Sequence, residues 1–373
     1  MKDKVLITGG MGMVGREITS LLIQKTEADV YMLLHKQGLS CNIEKILSTL
    51  SLPNNKDFHK RLKIINGDVS KPNLGIDIKD YQNLSGNITH IIHAAASTRF
   101  DLPLNEAREI NVLGTKNVAT FAKNCLHLYK FAFLSTVYVS GKRIGQIKET
   151  ELEHSAGFVN TYEQSKYEAE ILLKSFSTDV PISIYRLSTL FGDSKTGKVN
   201  HFIAPHQAIR MMSLGLASML PGTPDYSVDL ISSDYTANII FDLYWRNFKP
   251  NQTFQVTHGS GSYTLQQVID ENYRQFGLNN SEWLSRNYPK PVIVSGDTFD
   301  LFMSSAITAN NPILKNTLNA LNYFAHQLLY PKVFDKSNLT AVLPSYDKDL
   351  PPIREYYGKV LQYCIKTKWG RIQ

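Results

Sequence analysis

Long apolar runs are missing from this chain: no stretch approaches the ~18 apolar residues of a membrane-spanning helix. Cysteine is scarce, with Cys41, Cys125 and Cys364 far apart. That spacing excludes a Cys-x-x-Cys metal knuckle, and an odd, scattered set fits a reducing compartment better than a disulfide framework. There is no block of lysine and arginine with interleaved aromatics, so nucleic acid is not an expected partner, although the net charge is +7. Internal repeats and low-complexity segments are also lacking. The first residues run straight into a strand, without the basic-then-apolar pattern of a signal peptide. These absences lead to the expectation of a soluble, cytoplasmic protein with no metal site.

What is present is ordinary globular material. The 373 residues are 43% hydrophobic and 20% charged, enough for a large core. This length suits one large domain with an added lobe, or two domains.

The most informative stretch comes early. Val5-Leu6-Ile7 leads into TGGMGMVG, residues 8–15, and a helix pattern follows. Gly9, Gly12 and Gly15 make a G-x-x-G-x-x-G between strand and helix, which is where a glycine triplet holds phosphates. Gly9 allows the tight turn. Gly12 admits a pyrophosphate without a Cβ in its way. Gly15 lets the helix pack close to the strand. The positive end of the helix, with the first-turn residues Met13 and Val14, then faces the anion. The alternative is a tight loop with no ligand; the strand–turn–helix context favours a dinucleotide.

Strand and helix signals alternate from there. Strands are expected at 4–8, 29–35, 61–69, 88–96, 129–136 and 181–187, and helices at 12–25, 105–125 and 161–176. This pattern predicts an α/β fold, a Rossmann-type doubly wound parallel sheet covered on both faces. Ligands of such sheets lie at the carboxyl ends of the strands. After about residue 195 the alternation loosens. The expected division is a nucleotide-binding domain over 1–260 and a smaller, mostly helical substrate lobe over 261–373, with parts of 195–235 joining that lobe.

Tyr162-Glu-Gln-Ser-Lys166 sets a phenol and an ammonium one helical turn apart. A cation close to a tyrosine lowers its pKa and readies it for proton transfer to a carbonyl oxygen. With 19 tyrosines such a spacing also arises by chance, and Tyr138…Lys142 repeats it. That second copy follows a strand and carries a glycine, so its two side chains are not expected to share a helix face. Ser135 and Thr136, at the end of the preceding strand, offer a hydroxyl to the same substrate oxygen. His90 and His93 read as packed side chains rather than metal ligands, and Trp245 and Trp283 as packing residues.

Six motifs now stand in order over about 190 residues: T-G-x-x-G-x-x-G at 8–15, Gly67-Asp68, HAAA at 93–96, Asn111 in NVLGT, LST at 134–136, and Tyr162/Lys166. Together they resemble the extended short-chain dehydrogenase/reductase superfamily. Within it the chain is similar to the fatty acyl-CoA reductase and thioester reductase branch, through FLSTVYVSG (133–141), VDLISSDYTANII (228–240) and YFAHQLLYPKVFDKSNLTAVL (323–343). The resemblance implies Thr136 as catalytic hydroxyl, Tyr162 as acid/base and Lys166 as its partner. It implies a cofactor set of Thr8, Gly9, Gly12, Met13, Val14, Gly15, His35, Lys36, Asp68, Val69, Ala94, Ala95, Ala96, Asn111, Tyr162 and Lys166, with Asp68 at the adenine and Ala94–Ala96 at the nicotinamide ribose. Two departures stand out. The branch's usual V-R-P is Tyr185-Arg186-Leu187, and LPGTPDYSVD (220–229) replaces its G-W-x-D-N.

The second strand ends Leu34-His35-Lys36, without the acid that reads the ribose of NAD. Lys36, with His35, suits a 2′-phosphate, so NADPH is expected over NADH. The leading functional expectation is NADPH-dependent reduction of an acyl thioester on CoA or a carrier protein, to aldehyde or alcohol. Two alternatives remain open: a sugar-nucleotide epimerase/dehydratase or hydroxysteroid-like dehydrogenase, and a nucleotide-binding protein without catalysis.

Two C-terminal helical patterns complete the reading. In 354–368, Tyr357, Val360, Leu361, Cys364 and Ile365 share one face, with Glu355, Lys359, Gln362 and Lys366 opposite. Residues 313–331 are rich in leucine and aromatics. They are expected either to pack on the rest of the protein or to form an acyl tunnel wall or a peripheral membrane contact.

Overall fold

The computed structural model describes residues 2–35, 43–53, 56–279, 281–308 and 324–371. Lys36, Cys41 and most of 313–331 lie outside the described residues.

A seven-stranded parallel sheet organises the chain: β1 Lys4–Thr8, β2 Asp29–Leu34, β3 Leu62–Asn66, β4 His90–His93, β5 Lys130–Thr136, β6 Ile182–Leu187 and β7 Gln252–Val256. Their spatial order is β7-β6-β5-β4-β1-β2-β3, parallel throughout. This is the doubly wound arrangement expected. Val5, Leu6, Ile7, Ile91, Ile92, Phe131, Ala132 and Phe133 are all fully buried, because helices cover both sheet faces and leave no polar side to these strands. The order reverses between β1 and β4, where such sheets open a ligand crevice. The register pairs Thr8 with His93, so the glycine turn and HAAA leave the sheet side by side.

The helix expected over 105–125 is continuous but not uniform. It runs Leu104–Arg108, a π-helical turn Glu109–Leu113, then Gly114–Asn124. Asn111 sits in the wide turn, a feature that sequence periodicity does not register.

Beyond β6 the chain builds a second core. Phe191, Met211, Met212, Leu220, Phe276, Phe299, Tyr356, Tyr357 and Leu361 belong to it. Helix Ile353–Lys366 buries Tyr357, Val360, Leu361 and Cys364 completely, as its amphipathic pattern implied. Tyr357 stacks on Phe191 at 4.7 Å and donates to Asn272 Oδ1 at 2.8 Å. This helix is therefore held by packing. The chain does not change lobe once near residue 260. Lys332–Phe334 pairs with Gly145–Ile147, and Leu339 and Tyr346 join the core under the main sheet. Loop lengths and composition carry no record of that return, because it is made by pairing between distant segments.

Candidate active site

The turn after β1 has the geometry its glycines imply. Gly9 has φ +69°, and a Cβ there would lie 2.5 Å from Ala95 N. A Cβ on Gly15 would come within 2.1 Å of the Gly9 carbonyl oxygen, so turn and helix touch backbone to backbone. A Cβ on Gly12 would meet only the Gly9 oxygen, at 3.2 Å, and otherwise open space. Helix Met13–Lys25 starts at this point with no acidic residue in its first turn. Arg16 stands there instead, its Nε buried without a hydrogen-bond partner. A bare backbone cradle, a helix N-terminus and an unsatisfied guanidinium nitrogen together fit a dinucleotide pyrophosphate.

This cradle opens on a cavity of about 990 Å³. Gly9, Gly12, Met13, Val14, Gly15, Ala94, Ala96, Thr136, Tyr162 and Lys166 all line it. Other residues of the expected set lie elsewhere. Thr8 is buried, its Oγ1 2.7 Å from His93 Nδ1, and His93 Nε2 reaches Thr115 Oγ1 at 3.1 Å. His93 is therefore a packed, hydrogen-bonded histidine, pushed down to about 3 by burial. Asn111 is fully buried and works through other residues: its Oδ1 accepts from Ser97 N at 2.8 Å and its Nδ2 donates to Ser165 Oγ at 2.9 Å. It ties the loop after β4 to the helix that carries Tyr162. Asp68, at the end of β3, lies 3.3 Å from His35, at the end of β2. Burial acts to raise the Asp68 pKa, but hydrogen bonds from Ser70 and the nearby His35 and Lys71 outweigh it and hold the carboxyl below its ordinary value.

Helix Thr161–Lys174 carries the candidate pair Tyr162 and Lys166. Asn160 caps it, its Oδ1 accepting from Glu163 N at 3.0 Å. Glu163 turns back to accept from Val159 N at 3.0 Å and Asn160 Nδ2 at 3.1 Å. Tyr162 thus stands on the first turn and lines the cavity with Thr136. Lys166, one turn on, donates from Nζ to the Leu134 carbonyl at 2.8 Å. Burial pushes Tyr162 up to about 12, against the smaller opposing pull of the nearby Thr136 hydroxyl. The lowering expected from Lys166 is not seen, and burial pushes that lysine itself down to about 7.

The strand end also separates the two hydroxyls of LST. Ser135 Oγ donates to Glu170 Oε1 at 2.5 Å, and Glu170 pairs with Arg186 at 2.8 Å, with both charged side chains essentially inaccessible to solvent. Arg186 also reaches the Glu151 carbonyl at 2.9 Å. Ser135 is thereby engaged by Glu170, whereas the Thr136 hydroxyl oxygen accepts from Tyr138 N at 3.3 Å on the cavity wall. The second Tyr-x-x-x-Lys copy behaves as expected: Val137–Ser140 is a 3-10 turn ended by Gly141 at φ +56°. Tyr138 nevertheless lines the cavity, its hydroxyl 2.6 Å from Thr189 Oγ1.

Sequence reasoning missed Arg16, Phe100, Tyr138, Glu170 and the segment 201–207. Phe100 packs on the Tyr162 ring at 5.6 Å and lines the cavity. A basic residue directly after the last glycine was the legible signal for Arg16. The others depend on loops folding back over the sheet.

A parallel Rossmann sheet, a G-x-x-G-x-x-G cradle at its switch point and a Thr/Tyr/Lys set at the end of β5 define a nucleotide-binding domain of the extended short-chain dehydrogenase/reductase type. The family model described as "Male sterility protein", an NAD-binding family, matches residues 7–240, and the chain belongs to that family. It is 27% identical over 281 residues to the fatty acyl-CoA reductase wat of Drosophila melanogaster, covering 65% of this chain and 54% of the fly protein. It is 24% identical over 381 residues to a linear gramicidin synthase of Brevibacillus parabrevis, covering 98% of this chain and 7% of the synthase chain. The chain thus spans about half, or much less, of these relatives. Among solved structures, the terminal R domain of the myxalamid PKS-NRPS pathway superposes with a TM-score of 0.79 at 24% identity, covering 99% of this chain and 92% of that one. The UDP-glucuronic acid 4-epimerase of Bacillus cereus, in complex with NAD, gives 0.66 at 16% identity, covering 99% and 98%. These likenesses extend the fold to nearly the whole chain. No helix among the described residues is long and apolar enough to cross a membrane.

Proposed function

We propose that this chain is an NADPH-dependent reductase of an acyl thioester carried on CoA or a carrier protein. The observation that carries this reading is the joint placement of Thr136, Tyr162 and Lys166 on a cavity whose other wall is the glycine cradle. The relatives named as a fatty acyl-CoA reductase and a gramicidin synthase support the thioester over other carbonyls.

Gly9, Gly12, Met13, Val14, Gly15 and Arg16 would hold the pyrophosphate, Asp68 and Val69 the adenine side, and Ala94–Ala96 the nicotinamide ribose. When bound, the dinucleotide supplies hydride to the substrate carbonyl. The chain's own residues manage the oxygen. Tyr162, held near 12, keeps its proton at neutral pH and is therefore a donor. Thr136, on the same cavity wall, offers a second hydrogen bond to the oxyanion as charge develops. Lys166, anchored on Leu134, is positioned to bond the ribose hydroxyls. Loss of the thiol from the resulting tetrahedral adduct leaves an aldehyde and a free thiol. Phe100 covers Tyr162 and limits water at the phenol.

His35, and Lys36 next to it in sequence, are proposed to read a 2′-phosphate, which gives NADPH its preference. Residues 189–230 together with most of 263–371 are proposed as the substrate lobe. The test is NADPH oxidation with a panel of acyl-CoAs and carrier-bound acyl groups, with products identified. Turnover with acyl thioesters, yielding aldehyde or alcohol, is expected. Tightly retained NAD with no thioester turnover would favour an epimerase instead.

A further inference from the structure

The catalytic cavity adjoins a smaller one in the second core. Pro205 and Phe324 line both. The smaller pocket has a volume of about 40 Å³, and every side chain around it is apolar. With no polar partner it cannot order water, so hydrocarbon is its suitable content. It is far smaller than the ~150 Å³ cavity that accepts a benzene, and it has room for the end of a chain only.

Helix Ala204–Ser213 spans the two spaces. Ala204 and Gln207 face the catalytic cavity, whereas Pro205, Ala208, Ile209 and Met212 face the small pocket. The latter four follow i, i+3, i+4, i+7 spacing, a single stripe of the helix. Leu220 and Leu328 close the pocket from other segments. Met212 is fixed in place: its sulfur accepts from Asn272 Nδ2 at 3.4 Å, and Asn272 is held by the Tyr357 hydroxyl at 2.8 Å.

We propose that this pocket receives the distal carbons of the acyl group and gauges its length, with Pro205 and Phe324 as the neck and Met212 and Ala208 as the gauge. The proposal rests on the thioester reading above. Pro205 and Phe324 line both spaces, so among the described residues these two side chains alone stand on the boundary between the pocket and the cavity where the carbonyl must sit. A fixed floor discriminates by length, because one methylene too many has no volume to enter. Such pockets separate neighbouring homologues by about 10-fold or more.

The experiment compares wild type, Met212→Ala and Ala208→Val in kcat/KM across acyl-CoAs from acetyl to palmitoyl, with melting temperatures. Leu214→Ala, at an exposed site on the same helix's C-cap, is the control and keeps the wild-type profile. Met212→Ala is expected to move the preferred length up by about two carbons, and Ala208→Val to move it down, each changing the ratio between flanking lengths by about 10-fold. An unchanged profile in folded Ala208→Val overturns the proposal, whether or not Met212→Ala folds. If the wild type oxidises NADPH with no acyl thioester, the reductase reading has failed instead. The pocket is then judged by binding of short- to medium-chain 1-alkanols, followed by thermal shift. Weaker binding in Ala208→Val supports it, and equal binding in all variants overturns it.

Discussion

Lys166 Nζ donates to the Leu134 carbonyl at 2.8 Å and lies 3.9 Å from the centre of the Phe133 ring. The ammonium is thus tied to the end of β5, two residues before Thr136 on the same strand. Strand and helix hold the three groups of the site through one another, and each can be removed separately.

Tyr162→Phe removes the proton donor and leaves the glycine cradle and Lys166 in place. It should abolish turnover, by about 100-fold or more, with cofactor affinity nearly unchanged. Lys166→Ala should weaken both. Steady-state kinetics with parallel cofactor titrations checks this; activity of Tyr162→Phe above a few per cent of wild type would remove Tyr162 from its role.

Two glycines of the same turn should fail differently. A Cβ on Gly12 meets only the Gly9 oxygen, at 3.2 Å, so Gly12→Val should lower the melting temperature far less than Gly15→Ala and abolish dinucleotide binding. Gly15→Ala places its methyl 2.1 Å from the Gly9 oxygen and should destabilise the fold itself. Thermal melts and cofactor titration on both variants make the comparison; retained binding in Gly12→Val would mean the turn holds something else.

Glu163, buried beside Tyr162, is pushed up to about 8 by burial from an ordinary value of 4.5. Between those values the folded protein keeps a proton that the unfolded chain has released, so this group makes stability fall as pH rises from about 5 to about 8. Lys166 works in the opposite sense higher up. Its folded value near 7 lies below the ordinary 10.5, so its contribution to stability rises with pH across that interval. Melting temperatures of wild type and Glu163→Gln between pH 5 and 7 isolate the first effect. The decline attributable to Glu163 should vanish in the variant, and parallel curves would show that the carboxyl is charged in the fold.

Arg186→Leu leaves Glu170 buried without its cation. Breaking a buried pair on one side costs about 3–5 kcal/mol, here with loss of the Arg186 hydrogen bond to the Glu151 carbonyl as well, while Ser135 still donates to Glu170. The double change Arg186→Met/Glu170→Met should recover much of that loss. Denaturant melts measure both, and a double variant no more stable than the single one would count against the ion-pair account.

Much of the sheet was legible because parallel strands buried on both faces read as continuous apolar runs. β1 matches its expected bounds, and β5 and β6 differ by one residue at the start. The glycine turn and the Tyr162/Lys166 spacing were equally local: each is written in fewer than ten consecutive residues. The strand bounds at 61–69 and 88–96 were too long, because Gly67-Asp68 and Ala94–Ala96 continue the apolar or extended pattern after pairing has ended.

What the sequence alone determined about this protein is therefore its parallel sheet, its glycine turn and the Tyr162/Lys166 spacing, since periodicity and short spacings fix those locally. Only the tertiary structure decided the rest. It committed Ser135 to Glu170 and set Thr136 and Tyr162 on one cavity wall. It set the phenol high and the lysine low through burial. It brought 332–346 back onto the nucleotide-binding core and joined helix Ala204–Ser213 to Phe324 around one apolar pocket. Desolvation and contact between segments more than a hundred residues apart depend on the folded packing, and no local pattern in the chain encodes them.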